Sequence, residues 1–268
     1  MPELPEVEIM TRNLRRWAGG ATLRSVTLTD SALLVESSRA AFSAAAHEGA
    51  SVQRIWRRAK YLCMQTSVGA WIFHFRMTGK LVPSHLASRE RVRIEFDNGS
   101  SVSFSDRRRL GHVAFVEDAA AFFETLALGP EPYPDARDGA WWAARFEGLR
   151  QAIKPALLRQ ERVAGVGNIL ASELCFRARI DPRRAAREVV AASWERLSGE
   201  VVPLIDAVVA HEQGDEIAYL GDGGDVEDTV FDVYAREGRP CRVCGHAIER
   251  FVQAGRATFW CPRCQTGD

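Results

Sequence analysis

The chain has 268 residues, 46% of them hydrophobic and 26% charged, with a formal net charge of zero, which is enough for two compact domains with packed cores. It contains no apolar run long enough for a transmembrane helix, and its acidic start lacks the apolar stretch of a signal peptide, so a cytoplasmic address and no membrane partner are expected. Neutrality argues against nucleic-acid binding, but the charge is unevenly placed: twelve Lys/Arg against four Asp/Glu between residues 51 and 115, and nine Asp/Glu with no Lys/Arg between 205 and 232. Such a separation presents either a basic face or ordinary solvated surfaces.

In chain order, residues 5 to 17 read as a helix, with Pro5 at the first helical position, Glu6 and Glu8 at the positive end of the dipole, and Leu4, Val7, Met10 and Leu14 at helical spacing. From about 20 to 117 the pattern is that of strands. Trp71, Phe73 and Phe75 alternate with Ile72, His74 and Arg76, and Val92, Ile94 and Phe96 alternate with Arg91, Arg93 and Glu95. Asn98-Gly99 then predicts a hairpin into Val102 and Phe104. Several strands at this spacing suggest a β-sandwich or barrel. Gly129-Pro130-Glu131-Pro132-Tyr133-Pro134 is a stiff boundary. Helical patterns follow at about 139–149, 153–161, 168–178 and 187–211, then an acidic, Gly-rich loop at 213–228, then short strands around cysteine pairs at 230–266.

Cys63 and Cys175 sit in apolar surroundings and read as small core residues. The other four cysteines form one pattern: Cys241-x2-Cys244, sixteen residues, Cys261-x2-Cys264. That spacing predicts one structural zinc held by four thiolates, with no open position. His246 is a competing ligand. Between the pairs, Arg256 at the tip of a hairpin suits a phosphate contact, although a zinc ribbon by itself says only nucleic acid or protein interaction. Gly165-Val166-Gly167-Asn168 allows a tight turn with backbone N–H groups at a helix N-terminus, which suits a DNA phosphate or an ordinary helix connection. At the start, methionine before a small residue such as Pro2 is normally removed. The secondary amine then exposed has a pKa of about 7.7–8 and can attack an electrophilic sugar carbon, with Glu3 and Glu6 as candidate acid/base groups. By chemistry alone Pro2 reads first as an ordinary disordered chain end.

These signals together resemble the formamidopyrimidine-DNA glycosylases and the related endonuclease VIII enzymes over essentially the whole length. The resemblance rests on Met-Pro-Glu-Leu-Pro-Glu-Val-Glu at 1–8, Arg58-Ala59-Lys60-Tyr61, His74-x-x-Met77-x-Gly79, Gly129-Pro130-Glu131-Pro132, Gly165-Val166-Gly167-Asn168-Ile169 and the zinc hairpin ending Arg-Ala-Thr-Phe-Trp-Cys. It implies an α+β multidomain fold. An N-terminal helix and β-sandwich are expected over 1–128, a helical domain with a helix–two-turn–helix over 129–229, and a zinc-finger β-hairpin over 230–268. The implied partner is double-stranded DNA containing damaged bases or abasic sites, bent between the domains with the damaged nucleotide flipped out, and bound by a monomer. The implied activity is that of a bifunctional glycosylase and AP lyase of base excision repair.

By the same resemblance Pro2 is the nucleophile at C1′, Glu3 the acid/base group near the sugar, Glu6 a supporting carboxylate and Lys60 a phosphate contact near the lesion. His74 and Gly167 fall in DNA-binding motifs, Asn168 and Arg256 pinch the phosphates around the flipped nucleotide, Met77 fills the vacated stack and Arg108 faces the orphaned base. The family's Asp-Pro-Arg-Arg-Phe-Gly is here Asp106-Arg107-Arg108-Arg109-Leu110-Gly111, which puts Leu110 where an aromatic wedge is usual. Leu157-Leu158-Arg159-Gln160 replaces Leu-Leu-Asp-Gln, and Leu170 replaces Tyr. The segment 213–230 is short, lacks the usual Thr-rich start and carries Asp215, Glu216, Asp222, Asp225, Glu227 and Asp228. It either points to solvent or favours a cationic base such as an alkylated purine. Two other readings compete. A non-catalytic damaged-DNA-binding protein on this scaffold would tolerate changes at Pro2, Glu3 or Lys60, all intact here, and a small-molecule tautomerase with an N-terminal proline would need neither the zinc hairpin nor the Gly165–Asn168 turn.

Overall fold

A computed structural model describes residues 2–34, 47–212, 214–217 and 229–266. The chain packs as two compact units, Met1–Leu126 with Glu212–Asp222, and Ala127–His211 with Gly223–Asp268. No helix among the described residues is long and apolar enough to cross a membrane.

The first unit opens with α1 (Leu4–Ala18), which Pro5 and a reciprocal Glu3/Glu6 capping box start. Leu4, Val7, Met10 and Leu14 on its inner face are at most 1% exposed. Two four-stranded antiparallel sheets follow. One has the order β1 (Leu23–Leu28), β6 (Glu90–Phe96), β7 (Ser101–Asp106), β5 (Gly79–Pro83). The other has the order β2 (Val52–Arg58), β3 (Tyr61–Thr66), β4 (Gly69–His74), β8 (His112–Val116). They form the expected sandwich: Phe73 of β4 stacks on Phe104 of β7 across the core, with ring centroids 6.1 Å apart. The predicted hairpin joins β6 to β7, where Gly99 takes a φ of +84° and Phe96 donates its N–H to the Ser100 carbonyl at 2.9 Å.

One detail of β4 differs from its alternating pattern. Both faces are buried, because Cys63, Ile72 and Ala114 on the outer face are covered by α2 (Ala119–Glu124), with Phe122 and Phe123 against them. A short helix after the last strand thus turns a half-exposed sheet into a fully buried one.

In the second unit lie α3 (Gly139–Phe146), α4 (Ile153–Leu157), α5 (Asn168–Arg177) and α6 (Ala191–His211). Phe146 of α3 stacks on Trp194 of α6 at 5.5 Å. The helices expected at 139–149, 153–161 and 187–211 are shorter than their apolar patterns. After α4 the Gln160 side chain supplies the hydrogen bonds of a turn, donating to Leu158 and Val166 carbonyls and accepting from Gly165 N–H. Before α6, residues 186–188 form a 3-10 turn instead. The cysteine-rich end contributes one hairpin, β9 (Glu249–Gln253) and β10 (Arg256–Trp260), between the two pairs. Its core is shared with α5: Phe176 packs with Val233, Ile248, Phe259, Cys241 and Cys261. The buried Glu173 of α5 accepts the N–H groups of Asp232, Val233 and Tyr234 at 2.8, 2.9 and 2.8 Å, so the hairpin is built onto the helix. Cys63 and Cys175 are fully buried, as small core residues should be.

Candidate functional site

Pro2, Glu3 and Glu6 come together because α1 starts there. Pro2 is buried, Glu3 is 1% exposed and Glu6 9% exposed. The Glu3 amide donates to Glu6 Oε2 at 2.7 Å, closing the capping box from one side. Burial, with the Glu3 carboxylate close by, pushes the Glu6 carboxyl up to about 7. The start of α1, where Pro2 was expected to act, thus carries a carboxyl that changes protonation near neutrality, which suits acid/base work. Glu8, two residues beyond Glu6, receives Arg57 Nε at 3.2 Å, and the same guanidinium donates to the Ala59 carbonyl at 3.0 Å. This chain of contacts ties the β2–β3 turn, which holds Lys60, to α1.

The β2–β3 turn depends on Ala59 at a φ of +52°. His74 pairs with Tyr61 across β3 and β4, with ring centroids 4.6 Å apart. Burial, then Arg76, His112 and Lys60, push the imidazole down to about 3. The ring is therefore neutral, and since its Nδ1 accepts the Arg76 N–H at 3.3 Å, the proton sits on Nε2. Lys60 and His74 thus offer a cation and a neutral donor at one end of the same sheet.

Met77, Arg108 and Leu110 are all exposed, Met77 at 41% and Leu110 at 39%. The fully buried carboxylate of Asp106 holds them in place. It accepts Thr78 Oγ1 at 2.6 Å and the N–H groups of Arg108, Leu110 and Gly111 at 3.1, 2.9 and 2.7 Å. Gly111 has no room for a side chain: a Cβ there would lie 2.6 Å from the Phe104 ring. Of the three consecutive arginines, Arg109 is occupied within the fold by Asp30 at 2.7 Å, and that hydrogen bond holds the Asp30 carboxyl below its ordinary value. Arg107 and Arg108 are exposed too, and the Arg108 N–H donates to Oγ1 of Thr78, the residue after Met77, at 3.2 Å.

In the second unit Gly167 caps α5 and Asn168 opens it. The N–H of Gly165 is taken by Gln160 at 2.9 Å, so the useful end of that turn is Gly167-Asn168. Asn168 donates Nδ2 to the Ala257 carbonyl at 3.0 Å. Lys154, 1% exposed, donates Nζ to Asn168 Oδ1 at 2.6 Å, to the Ala257 carbonyl at 3.0 Å and to Thr258 Oγ1 at 2.8 Å. A buried ammonium therefore locks Asn168 to the start of β10, next to exposed Arg256. Cys241, Cys244, Cys261 and Cys264 bring their Sγ atoms within 4.8 Å of one another. Cys241–Cys264 is 3.8 Å and Cys244–Cys261 is 3.5 Å. A tetrahedron with Zn–S near 2.3 Å has edges of about 3.8 Å, so these thiolates fit one structural zinc. His246 is not needed as a ligand.

Sequence reasoning missed Glu8, Asp106, Lys154 and Glu173, whose roles lie in whom they touch. The sequence signal is present in Asp106, which opens the Asp-Arg-Arg-Arg motif, and nothing in its surroundings singles out Lys154.

Comparison with known proteins extends these observations. The chain matches the family model of the formamidopyrimidine-DNA glycosylase N-terminal domain over residues 1–113 and that of the formamidopyrimidine-DNA glycosylase H2TH domain over 128–217. Residues 238–267 match the zinc finger found in FPG and IleRS. It is 40% identical over 276 residues to a formamidopyrimidine-DNA glycosylase of Bordetella pertussis, covering 99% of each chain. Among solved structures it is similar to the Lactococcus lactis Fpg in complex with abasic-site DNA, at a TM-score of 0.86 and 27% identity over 99% of this chain and 100% of that one. The Lactococcus lactis protein with FAPY-dG DNA gives a TM-score of 0.85 at 27% identity, with the same coverage.

Proposed function

The chain belongs to the formamidopyrimidine-DNA glycosylase family and is a DNA glycosylase of base excision repair, and from that premise we propose that it is bifunctional, excising a damaged base and then nicking the strand as an AP lyase. The observation that supports this reading most directly is the Pro2–Glu3–Glu6 constellation at the start of α1, with Glu6 titrating near 7.

With Met1 removed, the Pro2 nitrogen is a secondary amine of which roughly a tenth is neutral at pH 7, far more than of a lysine. It attacks C1′ of the damaged nucleotide, the C1′–N bond to the base breaks, and the base leaves with a proton. The Pro2 nitrogen gives up its proton, ring O4′ takes a proton from Glu3 as the C1′–O4′ bond breaks, and the C1′–N(Pro2) bond becomes an iminium, which acidifies the 2′ protons. Loss of one of them to a base forms a C1′–C2′–C3′ conjugated system and expels the 3′ phosphate with its electron pair. A second elimination then releases the sugar from the 5′ phosphate, and hydrolysis frees Pro2. Glu3 serves as the acid/base group at the sugar and Glu6 holds or accepts the proton beside it. Lys60, His74 Nε2–H, Gly167-Asn168 and Arg256 contact backbone phosphates, and Met77, Arg108 and Leu110 fill the gap left by the flipped nucleotide. The zinc hairpin presents Arg256 and does no chemistry.

The Lactococcus lactis relative is bound to abasic and FAPY-dG DNA. We extend that substrate class, ring-opened or oxidised bases in duplex DNA, to this chain. A preference for a cationic base now rests on Asp222, Asp225, Glu227 and Asp228, which lie outside the described residues; Asp215 and Glu216 are paired with Arg16 and Lys80. Borohydride trapping on abasic-site duplex tests the chemistry. A covalent adduct is expected with the mature protein, and its loss in Pro2→Gly. Binding of lesion DNA with neither adduct nor base release would instead mark a non-catalytic damage-binding protein.

A further inference from the structure

The edge that presents Met77 and Arg108 continues into a groove to which no role has been given. Its floor is the β5–β7 pair, in which Lys80 sits opposite Ser105 and Gly79 opposite Asp106. Thr78, Lys80, Ser88, Ser105, Arg107 and Glu216 line it. The register explains the grouping: Lys80 and Ser105 face each other within the pair, and Thr78 and Arg107 lie one residue beyond its Gly79–Asp106 end. The lining thus includes two cations, Lys80 and Arg107, and the Glu216 carboxylate. Ser105 Oγ accepts the Arg89 N–H at 3.2 Å, which leaves its own proton for an acceptor in the groove.

The carboxylate arrives from far along the chain. Residues 214–217 lie against the first unit: Asn13 donates to the Gly214 carbonyl at 3.0 Å, Arg16 pairs with Asp215, and Ile217 is 3% exposed. These contacts hold Glu216 Oε1 3.4 Å from Lys80 Nζ. Glu216 is half exposed, with 50% of its side chain in solvent against 16% for Lys80. An ion pair this long and this wet is weak, and a phosphodiester can replace it.

We propose that this groove is a backbone-phosphate subsite for DNA, formed by Lys80, Arg107 and Ser105, and that Glu216 occupies its Lys80 side as an internal counter-ion until DNA displaces it. The proposal rests on the reading of the chain as a DNA glycosylase. The residues flanking Thr78 and Arg107 are Met77 and Arg108, so a duplex seated on that exposed edge brings its backbone to the groove mouth.

The test is equilibrium binding of the full-length, zinc-loaded protein to a duplex bearing a tetrahydrofuran abasic analogue, across a salt series. K80Q and R107Q should each weaken binding at low salt and reduce the slope of log K against log salt by about one. E216Q should strengthen binding by a factor of roughly 1.4 to 5, the ratio that corresponds to an exposed ion pair of about 0.2–1 kcal/mol, and this gain should vanish in K80Q/E216Q. Duplexes with one methylphosphonate linkage moved along the strand should reveal a single position at which neutralising the phosphate costs wild type affinity but leaves K80Q unaffected. Unchanged affinity and slope in K80Q, weaker binding in E216Q, or a gain from E216Q that persists without Lys80 would each overturn the subsite. Absence of any DNA binding by the wild type would instead overturn the glycosylase reading beneath it.

Discussion

Glu6 receives the Glu3 amide and is buried against the Glu3 carboxylate, and both facts bear on stability as well as chemistry. Its carboxyl titrates near 7 in the folded chain against 4.5 for an ordinary one. The folded state therefore keeps a proton that the unfolded state has released. Stability from this group is full below pH 4.5 and is lost as the pH rises to about 7, a change of about 3 kcal/mol. Glu6→Gln keeps an acceptor for the capping box and removes the titration. Urea melts should show the wild type losing stability relative to Glu6→Gln between pH 5 and pH 8, with Glu6→Gln the more stable at pH 8 and slower in base release. Parallel pH profiles for the two proteins would refute the assignment. The three arginines at 107–109 teach a related lesson. Their run looks like one basic cluster, yet Arg109 is bound to Asp30 and Arg108 is presented outward; which does which depends on a partner 79 residues away in sequence.

At the level of elements, the joint between α4, α5 and β10 is the most constrained part of the second unit. Lys154 is a buried cation with three oxygen acceptors, and it fixes Asn168 relative to the strand that starts at Arg256. Lys154→Met takes the ammonium donor from Asn168 Oδ1, while the Ala257 carbonyl keeps Asn168 Nδ2, at a cost of about 1–3 kcal/mol. Lesion-DNA affinity should fall, and the losses from Lys154→Met and Arg256→Ala should be less than additive, because both act on one clamp. Full additivity in a double-mutant cycle would separate them. The zinc hairpin shares its core with Phe176, so stripping the metal should do more than release a finger. Chelation should abolish DNA binding through loss of the hairpin and destabilise α5, read as faster amide exchange over 168–177. Protein that keeps full DNA affinity without zinc would contradict this.

On the scale of the whole molecule, a neutral chain binds a polyanion by sorting its charges. Part of the acidic excess near residue 215 is neutralised within the fold, by Arg16 on Asp215 and Lys80 on Glu216, while Arg108 and Arg256 stand exposed. Binding should therefore be strongly salt-dependent despite the zero net charge, and Arg256→Gln should lower the salt slope by about one. An unchanged slope would remove Arg256 from the phosphate clamp. Base preference is tested at this scale too, by single-turnover excision from duplexes carrying 8-oxoguanine, a formamidopyrimidine, an oxidised pyrimidine and an N7-alkylated guanine. We expect the formamidopyrimidine to be released fast; release of the alkylated guanine alone would shift the reading to a cationic substrate.

Whatever depends on local pattern was determined by the sequence by itself. The Pro-Glu-Leu-Pro-Glu start specifies a capped helix, the Asn98-Gly99 turn a hairpin, and the paired cysteines a zinc site, because each relies on residues a few positions apart with a single favourable geometry. The helix ends were less legible: Gln160 closes the turn after α4 with its side chain, which an apolar period cannot register. Only the tertiary structure decided what depends on distant partners. It covered β4 with Phe122 and Phe123, raised Glu6 towards neutrality by burial, placed Asp106 under the Met77–Leu110 edge, locked Asn168 to β10 through Lys154 and laid Glu216 beside Lys80. Desolvation and hydrogen bonding act through space, so a residue's charge state and its partners follow from the packing around it and have no counterpart in its sequence neighbourhood.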